Sequence, residues 1–152
     1  MKQYQGLELI TNPIHEHLGG HLDEFLIPPP VFVSMQAKVI AFDPAAASLT
    51  VRFPVLERDL NPYHTMQGGM IAAAIDNALG PLSMLVAPPN VTRTLEVTYN
   101  KPITPDLGTF LVTARLVSRE KRFLNFTAEV TTEDGQKLAR ARAVHWIVQE
   151  NK

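Results

Sequence analysis

One carboxylate stands alone in the stretch Gln67-Gly68-Gly69-Met70-Ile71-Ala72-Ala73-Ala74-Ile75-Asp76-Asn77-Ala78-Leu79. A helix that is apolar on every side belongs inside a protein. A carboxylate placed there costs on the order of several kcal/mol unless it is paired, hydrogen-bonded or protonated. Chemistry is a common reason to keep such a group, which makes Asp76 a candidate general base or nucleophile. The competing reading is a buried polar contact, held by a neighbouring backbone or by a subunit interface. Gly68 and Gly69 open the same segment and leave bare backbone N–H groups at a helix N-terminus, where an oxyanion can be held. They also suit close helix packing. The glycines and Asp76 lie roughly 12 Å apart by helical rise, so either the substrate spans that distance or a second subunit supplies the missing partner.

Around this segment the other candidates are weaker. Asn61 precedes Pro62 and reads as a turn-former, with His64 in the same loop. His15, His17 and His21 are ligand-capable; His17 and His21 are four apart, a metal-compatible interval, but Gly19-Gly20 between them weakens any helix. The expectation is a solvated N-terminal segment and no metal site. Arg119, Lys121 and Arg122 form a small basic cluster, either a solvated turn or a phosphate contact. No Gly-x-Ser-x-Gly turn and no phosphate-cradling glycine loop occurs, which argues against a serine-hydrolase triad and a nucleotide-binding loop.

The chain of 152 residues carries a net charge of −1 and 45% apolar residues, enough for one domain with a real core. That balance gives no reason to expect nucleic acid or an anionic membrane as partner. It has no cysteine, so disulfides, thiol nucleophiles and thiolate metal sites are excluded. No signal-like run opens the chain, and no stretch reaches the roughly 18 apolar residues of a membrane span. A cytoplasmic location is the default expectation.

The elements that must position the candidates follow from periodicity. Residues 1–30 read as a lead-in ending in Pro28-Pro29-Pro30, and residues 31–150 as the domain. Strands are expected at Val31–Phe42 and about Ser48–Leu56, with a loop at Arg58–His64. A helix is expected over roughly Gly68–Val86, with a kink or break possible at Gly80-Pro81. Period-two strands then follow at about 91–99, 108–119, 122–133 and 137–148, the last two joined by an Asp134-Gly135 turn. The last strand is apolar enough to suggest contact on both faces. This order describes an α+β fold in which one antiparallel sheet wraps a long helix and leaves a face for a partner.

That order resembles the hotdog fold, and the motif resembles its acyl-CoA thioesterases of the phenylacetate-degradation type. The family pattern is an Asn, a His-Gly-Gly six residues on, and an acidic residue nine beyond that His. Asn61, Gln67-Gly68-Gly69 and Asp76 keep both spacings. The run Thr92-Arg93-Thr94-Leu95-Glu96-Val97-Thr98-Tyr99-Asn100-Lys101-Pro102 is similar to the family's next strand, and residues 118–139 to its last hairpin. The likeness covers roughly Val31–Val148. One position departs: Gln67 stands where the family has His, and Gln hydrogen-bonds but does not titrate near neutrality.

The resemblance implies hydrolysis of an acyl-CoA thioester. Its carbonyl would sit on the Gly68/Gly69 turn beside Gln67, and Asn61 would orient water or the carbonyl. Asp76 of one subunit would do the chemistry, held by Thr92 of the other, with Thr94 competing for that role. His64 would touch substrate, and Arg119, Lys121 and Arg122 would meet the CoA phosphates. Coenzyme A enters as part of the substrate and no separate cofactor is implied. The expected assembly is at least a homodimer, with a homotetramer left open. Two alternatives remain: an acyl-CoA or fatty-acyl binding protein with catalysis weakened by Gln67, and a dehydratase or non-catalytic assembly subunit of the same fold.

Overall fold

The computed structural model describes residues 6–148, with side chains omitted for residues 20–22. Two short helices lead in: α1 (Glu8–Leu18) and α2 (Pro30–Ser34). Strands β1 (Lys38–Asp43) and β2 (Ser48–Pro54) precede the long helix α3 (Gly68–Val86). Four strands follow: β3 (Asn90–Tyr99), β4 (Thr109–Glu120), β5 (Phe123–Thr131) and β6 (Lys137–Ile147). All six strands form one antiparallel sheet in the order β1-β2-β4-β5-β6-β3. The sheet curls around α3, which is the hotdog arrangement.

Alternation builds the inner face of that sheet. Leu49, Val51 and Phe53 of β2 meet Phe110, Val112 and Ala114 of β4, and β5 adds Leu124, Phe126, Ala128 and Val130; all are buried. Phe53 and Phe110 stack with ring centroids 5.7 Å apart. Against them α3 turns Ile71, Ala74, Ile75, Ala78, Leu79 and Leu82. Truncating one such side chain to Ala should cost about 2–5 kcal/mol, because the packed neighbours cannot close the void. On β6 the residues Ala139, Ala141, Ala143, His145 and Ile147 are buried, whereas Arg140, Arg142 and Trp146 are exposed. Within the single chain only one face of β6 is therefore covered.

Several expectations need correction. Residues 31–34 are helical rather than the start of a strand: Pro29 is extended (ψ 145°) and Pro30 takes the first helical position, where its fixed φ suits a helix. Gln36 then adopts a left-handed φ of 53°, which resets the chain direction before β1. The N-terminal segment is not simply solvated, because Ile10 and Ile14 of α1 are buried in the common core. Gly6 sits so close to β1 that an added Cβ would lie 1.8 Å from the Val39 carbonyl oxygen. Only glycine fits there.

Helix α3 runs unbroken through Gly80-Pro81. Pro81 has no N–H to give to the preceding turn, but the Ser83 hydroxyl donates to the Gly80 carbonyl at 2.7 Å and packing continues on both sides. At 19 residues, α3 is by length and composition long and apolar enough to cross a bilayer, which the expectation of no such stretch did not allow for. Here it serves as the core helix inside the sheet.

Candidate functional site

Asp76 and Asn77 divide differently from their neighbours' pattern. A step of one residue turns a helix by about 100°. Asn77 is buried, with its Nδ2 at 3.1 Å from the Met35 sulfur, whereas Asp76 is exposed. The isolated carboxylate is therefore not submerged in the core of the single chain. It lines a cavity instead.

A hydroxyl holds that carboxylate. Thr92 Oγ1 donates to Asp76 Oδ1 at 2.8 Å. Both residues belong to one chain, which corrects the expectation that Thr92 reaches Asp76 from the other subunit. Strand pairing explains why Thr92 and not Thr94 does this. Thr92 pairs with His145 and Thr94 with Val144, so β3 bulges at Arg93. The extra residue reverses the alternation. Thr92 thus shares the inner face with His145, while Thr94 shares the outer face with Val144 and is exposed.

The chain of contacts continues inward. Thr92 Oγ1 lies 3.3 Å from His145 Nε2, and His145 Nδ1 lies 2.8 Å from Asn90 Oδ1. Asn90 Nδ2 donates to the carbonyls of Pro88 at 2.9 Å and Ser83 at 3.3 Å. His145 is buried, with the Phe126 ring 4.8 Å from its own. Burial pushes the imidazole below its ordinary 6.5, and the nearby charge of Asp76 pulls the other way. Neither Asn90 nor His145 was a sequence candidate. The available signal was one polar residue interrupting the buried face of an otherwise alternating strand.

Asp76, Asn90, Thr92 and His145 share a cavity of about 430 Å³ with the apolar side chains of Ile10, Ile14, Phe25, Ile27 and Phe32. Much of that apolar lining comes from the segment read as a lead-in. Such a mixture, mostly apolar with a few convergent polar groups, is what small-molecule sites look like.

The second constellation lies at the start of α3. Gln67 is extended (ψ 137°), and its carbonyl accepts from Met70 at 2.9 Å and Ile71 at 3.1 Å. The N–H groups of Gly68 and Gly69 therefore have no acceptor within the helix. The Gln67 side chain is exposed and caps nothing. Tyr99 closes over the turn, its hydroxyl donating to the Gly68 carbonyl at 2.6 Å. Asn61 is engaged locally: its Oδ1 accepts from the N–H of Tyr63 at 2.9 Å and of Thr65 at 3.1 Å, and its Nδ2 donates to Thr65 Oγ1 at 2.8 Å. His64 is exposed in that turn with φ 61°. None of Asn61, His64, Gln67, Gly68 and Gly69 lines the cavity of Asp76.

Arg119, Lys121 and Arg122 lie at the exposed β4–β5 hairpin, where the Arg119 Nε donates to the Lys121 carbonyl at 3.3 Å. Arg122 stacks on Trp146 at 5.8 Å, and Arg93 stacks on the same ring at 5.6 Å. The bulge residue Arg93 thus joins the basic cluster, a neighbour that sequence spacing did not suggest. Of the N-terminal histidines, His17 Nε2 bonds the Ala87 carbonyl at 2.9 Å, and the side chain of His21 lies outside the described residues. Among the described residues, no three His, Asp or Glu side chains gather as a metal site.

The fold has counterparts among known proteins. Residues 63–139 match the family model described as Thioesterase superfamily. A phenylacetic acid degradation-related protein from Ralstonia eutropha JMP134 superposes with a TM-score of 0.75 at 25% identity, covering 89% of this chain and 98% of that one. The PaaI protein of the E. coli phenylacetic acid degradation operon gives 0.74 at 14% identity, over 93% and 98%. A Streptococcus mutans UA159 protein bound to acetyl CoA gives 0.70 at 22% identity, over 88% and 100%. No curated protein matches in sequence.

Proposed function

The chain belongs to the thioesterase superfamily, and on that premise we propose that it hydrolyses an acyl-CoA thioester to the free acid and CoA. One observation carries the reading: the Asp76 carboxylate, anchored by Thr92 at 2.8 Å, lines an apolar cavity of about 430 Å³. The acyl group occupies the cavity. Thr92 holds the carboxylate through Oδ1, and Asp76 takes a proton from a water attacking the thioester carbonyl.

The oxyanion that forms is held by the N–H groups of the Gly68/Gly69 turn, and Asn61 maintains the turn that presents it. Because that turn and Asp76 of the same helix are roughly 12 Å apart, each site takes its turn from a second copy. A homodimer also suits the open edge strand β3, where Val91 and Tyr99 are exposed. The CoA phosphates meet Arg119, Lys121 and Arg122, joined by Arg93. The acetyl CoA bound to the S. mutans protein supports this ligand class.

Gln67 gives the second reading its footing. This position of the turn lacks a titratable side chain, so binding without hydrolysis is the competing function. A panel of aliphatic and aromatic acyl-CoA substrates assayed for free-thiol release separates the two. Release that saturates with at least one member supports hydrolysis, whereas tight binding without thiol release across the panel supports the binding protein. Light scattering showing a monomer at micromolar concentration would overturn the two-subunit site.

A further inference from the structure

The hydrogen-bond inventory around His145 does not close in the resting state. Asn90 gives its Nδ2 hydrogens to the Ser83 and Pro88 carbonyls, so its Oδ1 must face His145 Nδ1, and Nδ1 must carry the proton. A neutral His145 then turns a bare Nε2 toward Thr92 Oγ1 at 3.3 Å. The Thr92 hydroxyl has one hydrogen, and that hydrogen goes to Asp76. Two lone pairs therefore face each other in a part-buried contact. Only 2% of His145 is accessible, so solvent gives little help.

One added proton at Asp76 repairs the whole chain. The carboxylic acid donates to Thr92 Oγ1, and the Thr92 hydrogen turns to His145 Nε2. No charge is placed on the buried ring. We propose that His145 is a positioning residue for the hydrolysis: its Nε2 is the acceptor that lets Thr92 reverse its hydrogen bond when Asp76 takes the proton of the attacking water. The O–H bond of the water breaks as its oxygen bonds the thioester carbon, and the proton rests on Asp76. When the C–S bond breaks, that proton leaves with the CoA thiol and Thr92 turns back to Asp76.

The surroundings suit a neutral acceptor. Asp76 faces the ring from α3, Asn90 and Thr92 from β3, and the Phe126 ring from β5. Arg93 and Arg122 stack on Trp146, the next residue of β6, whose side chain points to the opposite face. Burial itself lowers the imidazole's affinity for a proton.

The inference rests on the hydrolysis reading, and two measurements keep them apart. The first needs no activity: ¹⁵N spectra of histidine-labelled protein. They should show an Nδ1–H tautomer of His145 at neutral pH, and an Nε2 signal that moves as a hydrogen-bond acceptor when Asp76 is protonated. That movement should vanish in Asp76→Asn and in Thr92→Val. An Nε2–H tautomer, or a response that survives Thr92→Val, overturns the proposal whatever the protein catalyses. The second is the pH profile of kcat for thioester hydrolysis. His145→Phe should lower kcat by roughly two- to tenfold, the worth of one neutral hydrogen bond. It should also move the acid limb to lower pH, because protonated Asp76 loses support. His145→Gln places an oxygen near the position of Nε2 and should restore most of both. An unmoved acid limb in a folded His145→Phe, or no rescue by Gln, overturns it.

Discussion

The two ends of the site on α3 are built in different ways. At its start the useful groups are backbone N–H groups of Gly68 and Gly69, and the side chains nearby are occupied: Asn61 holds its own turn and Tyr99 holds Gly68. Two turns on, the useful group is one side chain, Asp76, tied through Thr92 to His145 and Asn90 on two strands. The first end depends on local chain geometry, and its backbone donors remain whatever side chain stands at position 67. The second depends on β3 and β6 being in register. Small errors there are not tolerated, since a slip of one residue turns every side chain to the other face.

The largest expected effect falls on the side-chain end. Asp76→Asn keeps the shape and removes the base, so hydrolysis should fall by about 10²–10⁴-fold while circular dichroism and thermal unfolding stay near wild type. A variant that folds, binds acyl-CoA and turns over normally would make Asp76 structural.

At the backbone end the sharp test is Gly68→Pro. Gln67 is already extended (ψ 137°) and position 68 opens the helix, so proline fits and removes one N–H. Loss of one oxyanion donor should lower kcat by about 10²–10³-fold. Gly68→Ala is the control, because its Cβ meets the same Tyr99 ring at 3.3 Å yet keeps the N–H. Equal losses in the two variants would mean crowding rather than a lost donor.

Smaller changes are expected further out. Neutralising Arg119, Lys121 or Arg122 should raise KM for acyl-CoA by roughly two- to fivefold, the range of an exposed ion pair. Activity on a truncated pantetheine thioester should not change, and equal loss on both substrates would remove the phosphate role.

The smallest effect concerns stability. Burial lowers the His145 pKa below its ordinary 6.5, so below that value the unfolded chain takes up a proton that the folded chain declines. Stability is then full above about pH 6.5 and falls as the pH drops toward the lower folded-state value. Thermal unfolding between about pH 5 and 7 should show this decline in wild type and a flatter line in His145→Gln.

Much of this is legible in the sequence. Helix α3 has the expected bounds, because its apolar run opens at a glycine pair and stops before Pro88-Pro89. The period-two strands and the Asp134-Gly135 turn, with Gly135 at φ 91°, follow from local sequence. The short helix α2 replaces the start of the strand expected over Val31–Phe42, because Pro30 favours a helical start.

Composition and spacing alone determined the class of chemistry on offer: no thiol, a lone carboxylate, and a glycine turn at a helix start. They did so because each is a property of residue type or of neighbours along the chain. Tertiary structure decided which partners the carboxylate has. Thr92 is preferred to Thr94 by a bulge at Arg93, which is visible only once β3 lies against β6. His145 joins from 53 residues away through that same pairing. The apolar cavity beside Asp76 exists because α1 and the residues before Pro28 fold back onto α3. Contacts between segments far apart in sequence are set by how the whole chain buries its apolar surface, and no local pattern records them.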